Sequence, residues 1–300
     1  MQRMGVELVA HMGHSQMNID SGMPTEFINV TYDGDPAIDP VLPILEQHRR
    51  IAEARLSRVA DEQELSEEEA KEAFIDAVGR ISPLKGSKLG LVGSIQHLHL
   101  IFEYKEKLEA VGYEVEVPVG GARLSFPGQV LGCNYSGDSD EIGHYLFLGS
   151  GDFHPIGLVL HTGKPLAMLD PYTDGAEEMS FERIERILRQ RFGLIMSCGS
   201  AESFGILIGE KPGQMRRNLA LRMKRKIEKH GKKGYLLALE HIGPDLIDFY
   251  PVDAFVNTAC PRIAIDDSIR YAKPLITPFE LEVALGEKKW ETGYKFDEIP

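Results

Sequence analysis

Cysteine is scarce in this chain: Cys133, Cys198 and Cys260 are the three in 300 residues. Odd in number and widely spaced, they exclude a disulfide framework and leave metal binding or catalysis as the special role open to a thiol. No run of 18 or more apolar residues occurs, so no membrane span is expected. No basic-then-apolar signal peptide is read at the start, and the expected location is the cytoplasm. Positive charge is short as well. Lys and Arg number 33 against 46 Asp and Glu, for a net charge of −13 and a pI near 5.3, which argues against general nucleic-acid binding. The ten histidines show no H-E-x-x-H or H-x-x-x-H spacing and the cysteines no C-x-x-C. His97 and His99, two apart, would point in different directions on a helix, so a zinc reading is weak. There is no G-x-S-x-G elbow, and the loop from Gly209 to Gly213 lacks the rest of a P-loop.

What is present is ordinary globular composition, 43% hydrophobic and 26% charged, on a length that suits two or three domains. Val6–Ala10 reads as a strand ending in His11-Met12-Gly13-His14-Ser15. A parallel strand this early implies preceding elements, so the N-terminal part of the first domain is expected to be missing. Glu26–Tyr32 is a further strand. Pro40–Ala60 is a helix with Ile44, Leu45, Ile51 and Leu56 inward, and Ser66-Glu67-Glu68-Glu69 caps the next. From Lys88 strand and helix alternate. Leu89–Val92, a loop Gly93–His97, a helix Leu98–Ala110 and a strand Tyr113–Val117 form one βαβ block. Phe204–Ile208, a loop Gly209–Gly213, a helix Gln214–Lys229 ended by Gly231 and Gly234, and a strand Tyr235–Leu239 form a second. Each block leads to a cysteine-bearing loop, which makes a weak internal repeat with parallel strands and ligands at their carboxyl ends.

The basic run Arg216–Lys233 falls on the second helix, whose inner stripe is Leu219, Ala220, Met223 and Ile227, so its charges form a solvated face. Between the blocks, a strand from Tyr145 enters the turn Gly149–His154, with Pro155 at the first position of a helix. Glycines there let a ligand approach the backbone, and a helix start favours an anion. Lys164–Leu169 is the next strand. Thr277-Pro278-Phe279-Glu280 is a capping box opening a helix that ends at Gly286.

A buried cysteine is often only a core residue. Polar neighbours set two of these apart: Asn257 and Thr258, with Arg262, Asp266 and Asp267, around Cys260, and Asn134 beside Cys133. Thiolates delivered singly from strand ends suit an iron–sulfur cluster, in which three ligands on four irons leave one iron open. Cys133 and Cys260 are expected at equivalent positions of the two repeats, with Cys198 a structural thiol and a third ligand upstream of residue 1.

These stretches resemble the archaeal diphthamide synthase family, non-standard radical-SAM enzymes that begin diphthamide synthesis. The resemblance spans essentially the whole chain. It rests on residues 11–15, 93–97, 128–134 and 153–158, and most strongly on Asn257-Thr258-Ala259-Cys260-Pro261-Arg262 with Asp266-Asp267 and on Leu275-Ile276-Thr277-Pro278-Phe279-Glu280. It implies an α/β fold of triplicated parallel-sheet βαβ domains around a central cluster site, with boundaries near 1–82 (the remainder of an incomplete first domain), 83–190 and 191–300. It implies Cys133 and Cys260 as ligands of a 4Fe–4S cluster. The family's first ligand, shortly before the strand ending in His-x-Gly-His-Ser, is absent here. The implied reaction moves the 3-amino-3-carboxypropyl group of S-adenosylmethionine to a histidine of translation elongation factor 2, and implies an electron donor and a homodimer. S-adenosylmethionine contacts are expected at His14, Gln96, Gly149, Gly151 and His154, all at strand ends. The acidic composition suits a protein partner better than RNA. Two other readings remain: a non-catalytic partner subunit of such an enzyme, and a quinolinate synthase-like 4Fe–4S dehydratase.

Overall fold

The computed structural model describes residues 9–12, 25–28, 37–61, 86–171, 173, 175–290 and 293–299. His14 and the helix expected after Ser66 lie outside the described residues. Two compact units divide the chain between residues 181 and 182.

In the first unit, Val9–Met12 (β1) and Thr25–Ile28 (β2) pair in parallel. A separate five-stranded sheet follows, built from Lys88–Gly93 (β3), Val115–Glu116 (β4), Ile142–Leu148 (β5), Leu166–Asp170 (β6) and Gly175–Glu178 (β7). Its order is β4-β3-β5-β6-β7, parallel except for β7. The antiparallel edge strand carries no apolar alternation, as its Gly-Ala-Glu-Glu sequence shows. Period-two alternation sorts the side chains of β5. Leu146 and Leu148 join Leu89, Leu91, Ala167 and Leu169 under the helices Leu42–Asp61 (α1) and Ile101–Ala110 (α2); successive strand residues point to opposite faces. The inward stripe of α1 is Leu45, His48 and Ala52, continued by Val41 just before the helix, spaced at helical period. Of the expected residues Leu45 is buried and Ile44 and Ile51 are half-buried.

The second unit holds a four-stranded parallel sheet in the order β11-β10-β8-β9. Its strands are Ser203–Gly209 (β8), Lys233–Leu239 (β9), Ala254–Asn257 (β10) and Leu275–Ile276 (β11). Helices Phe181–Cys198 (α4) and Arg217–Lys229 (α5) cover one face through Cys198, Ala220, Met223 and Ile227. Short helices Pro244–Ile247 (α6) and Pro261–Ile265 (α7) help cover the other, over Leu207, Phe255 and Leu275. Each fully buried aliphatic or aromatic side chain contributes roughly 1.5–3 kcal/mol.

The two sheets repeat one plan. β4-β3-β5-β6 and β9-β8-β10-β11 have the same order and direction. Each also sets a glycine beside an aromatic ring across the central strand pair: Gly90 against Tyr145 and Gly205 against Phe255, register partners in both cases. A Cβ at either glycine would run into that ring. The second helix ends at Gly231, whose φ of 75° suits glycine. Gly234 instead lies inside β9, a correction to the expected helix stop. The apolar stripe of α5 matches the expected one and the solvated face is observed from Arg217 onward; Arg216, however, turns inward.

One buried contact has a clear pH signature. His144 on β5 is 1% exposed, with its ring centroid 6.4 Å from those of His48 and Tyr113. Neither of its ring nitrogens has a hydrogen-bond partner. His48 Nε2 lies 2.8 Å from Glu178, and Arg49 stands over the Tyr113 ring while pairing with Glu46. Burial, then the charges of His48 and Arg49, pull the His144 pKa down to about 3. The unfolded chain takes up this proton near pH 6.5 whereas the native state does not. The stability contribution is therefore complete above pH 6.5 and is lost progressively as pH falls towards 3. Urea titrations from pH 7 to pH 5 should show a loss of up to about 1.4 kcal/mol per pH unit from this group. His144→Phe should flatten that slope; an unchanged slope would place the titration elsewhere.

Candidate functional site

In both sheets the chain leaves the central strand to one side and returns on the other, so a crevice opens at the carboxyl ends of β3 and β5 and again at those of β8 and β10. Open α/β sheets bind ligands at such switch points. The chemistry-bearing residues gather at these two edges.

At the first, Gly93 and Ser94 end β3. Ser94 N–H donates to the carbonyl of Leu148, and Gly149 N–H to that of Leu169, at 3.1 Å each. Gln96 is half-buried on the 3-10 turn Ile95–Leu100, and the neighbouring His97 is fully buried, its pKa lowered chiefly by desolvation. Gly149 and Gly151, with φ of 149° and 78°, turn the chain from β5 into the helix Phe153–Thr162 (α3). Both lie in the region that favours glycine. Asp152 caps α3, so Pro155 is its third residue and not its first as expected; the first-turn N–H groups have no intrahelical partner, which is why proline is tolerated there. The His154 ring stacks on Phe147 of β5, centroids 6.0 Å apart.

Cys133 reaches the same edge by another route. Gln129 bridges Gly93 in parallel, beyond the end of β4. Leu131 and Asn134 then close a tight turn by reciprocal hydrogen bonds of 3.2 and 3.0 Å, with Cys133 half-buried within it. Buried Asn134 accepts from Ser136 Oγ at 2.6 Å. The far end of the loop is fastened by Asp138, which accepts from buried Lys164 Nζ (2.5 Å) and from Tyr145 Oη (2.6 Å).

At the second edge, β10 runs into Thr258, Ala259 and Cys260, and Cys260 is the N-cap of α7 with Pro261 at its first position. Asn257 Oδ1 accepts from Ala259 N–H (3.0 Å) while its Nδ2 donates to the Cys260 carbonyl (2.8 Å). Thr258 Oγ1 donates to Leu207 O at 2.7 Å. Arg216 donates to the carbonyls of Thr258 and Ala259, at 2.8 Å each, and pairs with Asp297 at 2.5 Å. Burial raises the Cys260 thiol pKa, opposed by the Arg262 backbone N–H and by the charges of Arg262 and Arg216. Beneath this loop, buried Arg191 of α4 donates to Ala264 O (2.6 Å), Leu275 O (2.9 Å) and both carboxylate oxygens of Glu280. Glu280 also accepts from Thr277 N–H (2.7 Å) and Tyr294 Oη (3.2 Å) in the expected capping box of Pro278–Ala284 (α8).

Counting from the shared glycine–aromatic pairs, Cys260 corresponds to Ser150 in the turn after β5. Cys133 belongs to the connection before β5. The expected equivalence of the two cysteines is thus corrected: both sit at carboxyl edges, on different connections. Cys198 lies in the core at the end of α4, and burial pushes its thiol up to about 12. Among the described residues no group of three or more His, Cys, Asp or Glu is placed to hold a metal ion by itself. The donor chemistry of Cys133 and Cys260, half-buried thiols outside any disulfide and on braced loops, fits iron–sulfur ligation. Gln96, Gly149, Gly151 and His154 line the first edge. Arg191 and Arg216 had no motif to announce them. The one signal was Glu280, whose carboxylate has more acceptor capacity than a capping box uses, in an apolar stretch of sequence.

The fold and its edges define a class, parallel α/β proteins that present single cysteines at sheet switch points. Comparison with known proteins narrows it. Residues 50–295 match the family model described as "Putative diphthamide synthesis protein", and the chain belongs to this family. It is 35% identical over 295 residues to 2-(3-amino-3-carboxypropyl)histidine synthase of Pyrococcus horikoshii, covering 98% of this chain and 74% of that one. The Methanocaldococcus jannaschii protein of the same name is 31% identical over 58% of this chain and 50% of its own length. Subunit 1 of the Gallus gallus synthase is 30% identical over 75% and 54%. The chain therefore spans about three quarters of the first relative and about half of the other two. The crystal structure of Dph2 from Pyrococcus horikoshii with a 4Fe–4S cluster superposes with a TM-score of 0.79 at 31% identity, over 99% of this chain and 76% of that chain. These relatives carry the name of a transferase, which favours the diphthamide reading over the quinolinate synthase alternative.

Arg191→Met should lower the stability of the second unit by about 3–5 kcal/mol, because it strands a buried carboxylate. Adding Glu280→Leu should recover much of that loss. Thermal unfolding of the two variants tests this, and a double variant no more stable than the single one would contradict it.

Proposed function

We propose that this chain transfers the 3-amino-3-carboxypropyl group of S-adenosylmethionine to a histidine of translation elongation factor 2, the first step of diphthamide biosynthesis. The observation that carries the reading is the pair of half-buried thiols, Cys133 and Cys260, each on a braced loop at a carboxyl edge, in a family with a 4Fe–4S-containing solved member. In this reading Cys133 and Cys260 hold a 4Fe–4S cluster, with a further ligand from a first α/β domain and the domains near 1–82, 83–190 and 191–300 arranged around it. Such a cluster, reduced, supplies the single electron that carbon–sulfur cleavage of a sulfonium requires.

The chain's own residues bind and orient. Exposed Gly151, with buried Gly149 turning the chain behind it, leaves the backbone open to the co-substrate, and the start of α3 favours its carboxylate. Gln96 and His154 supply polar contacts at this edge, and His14 is the further residue expected to reach the co-substrate. Asn257 and Arg216 fix the Cys260 backbone, so the thiol is presented without reorganisation when the reaction occurs. The sulfonium leaves as methylthioadenosine, the carbon chain bonds to the imidazole C2, and that carbon gives up its proton and one electron, so the transfer is redox-neutral overall. An external electron donor, a homodimeric state and a cytoplasmic setting complete the reading.

Anaerobic iron and sulfide analysis with EPR of the dithionite-reduced protein tests it, on this chain and on a form extended at the N-terminus. A 4Fe–4S signal in the extended form should be lost in Cys133→Ala and Cys260→Ala, kept in Cys198→Ala, and altered by S-adenosylmethionine. A signal insensitive to Cys133 and Cys260 would overturn the ligand assignment; its absence from both forms would overturn the radical reading.

A further inference from the structure

The turn that carries Cys133 is slotted into helix α3 by two reciprocal contacts. Gly132, immediately before the cysteine, lies under the Phe153 ring, and a Cβ on it would overlap that ring. Two residues after the cysteine, Tyr135 is 1% exposed and lies against Gly157, where a Cβ would overlap the phenol. The Tyr135 hydroxyl donates to the carbonyl of His154 at 3.1 Å. Phe153 and Gly157 belong to the first two turns of α3, and the Phe153 ring meets the His154 ring at 5.7 Å. Each side thus gives a glycine and receives an aromatic ring. The glycine inside α3 is a poorer helix former than alanine, a cost this close approach offsets by burying Tyr135 and satisfying its hydroxyl.

We propose that Phe153 and Tyr135, with Gly132 and Gly157 opposite them, are positioning residues that set the Cys133 thiol relative to the Gly149–His154 turn. The inference rests on the reading of Cys133 as a cluster ligand and of that turn as the co-substrate cradle. It adds that the two are held as one rigid piece: the ends of the Cys133 loop are pinned at Gln129 and Asp138, and the cysteine between them takes its place from α3. A shift of α3 therefore moves the thiol and the cradle together, preserving the spacing on which transfer geometry depends.

Cysteine alkylation in the cluster-free protein, read residue by residue by mass spectrometry, tests the lock without requiring activity. Gly132→Ala and Gly157→Ala should each raise the Cys133 rate about tenfold by local opening, with Cys260 unchanged and Cys198 still protected. Phe153→Leu added to Gly132→Ala should return the rate towards wild type. Cys133 unchanged in both glycine variants, or Cys133 and Cys198 rising together as in global unfolding, would overturn the inference. If the glycine variants do not fold, Tyr135→Phe removes one hydrogen bond and no packing volume. It should raise the Cys133 rate two- to threefold, roughly the worth of a net hydrogen bond, and no change would count against the lock. After reconstitution, Gly132→Ala should also weaken the EPR change caused by S-adenosylmethionine, and be rescued by Phe153→Leu. Iron and sulfide contents unaffected by Cys133→Ala would sink the ligand reading alone, whatever the alkylation rates show.

Discussion

The buried guanidinium of Arg191 against the Glu280 carboxylate holds the surroundings of the Cys260 loop together. Three elements end at this one side chain: α7 through Ala264, β11 through Leu275, and the cap of α8 through Glu280. A buried ion pair gives little net stability when its desolvation is counted. Here the carboxylate also closes a capping box and accepts from Tyr294, so the charges are satisfied from several sides. The consequence is geometric. The short helix that Cys260 caps is fastened from below by Arg191, while Arg216 fastens the backbone before the cysteine from the other side. A loop of this length without such ties would sample many conformations, and its thiol would lose its placement.

One sheet plan serves both edges, yet it delivers cysteines by two routes. After β10 the thiol arrives directly at the strand end. After β5 the corresponding stretch is the glycine-containing turn, and the thiol comes instead from the connection before that strand, carried to the edge by the Gln129–Gly93 bridge. Duplication of a βαβ plan leaves loops free to differ, because the strand pairing and the glycine–aromatic contact fix the core while the carboxyl-edge loops only have to be capped. The first edge combines an open backbone with a thiol, whereas the second holds its thiol among satisfied polar groups.

Much of this was legible in the residues. The strands around Leu91, Ile206 and Val256, the apolar stripe of α5 and the capping box at Thr277 follow from periodicity and cap chemistry, both local properties. Helix α4 was not expected, since its many charged residues blur the apolar stripe, and Arg191 looks like one more basic residue on its surface. β7 has no alternating pattern and pairs through its backbone alone. Arg216 was read with the solvated charges of α5 because sequence cannot show that the chain turns one residue earlier, before the helix begins. The equivalence of Cys133 and Cys260 failed for a related reason. Both follow an apolar run, and only the strand order reveals which run is a sheet strand and which is a bridge beside one. The Gly132–Phe153 and Gly157–Tyr135 contacts join residues some twenty positions apart and leave no periodic trace.

The activity proposed for this chain is carbon transfer from S-adenosylmethionine to a protein histidine. The most direct measurement is mass spectrometry of translation elongation factor 2 after anaerobic incubation with the cluster-reconstituted protein, dithionite and S-adenosylmethionine, with methylthioadenosine followed in parallel. The predicted result is one 3-amino-3-carboxypropyl group on a single histidine, formed with methylthioadenosine in equal amount and lost in Cys260→Ala. An unmodified factor in the presence of an intact, reduced cluster would overturn the proposed transfer.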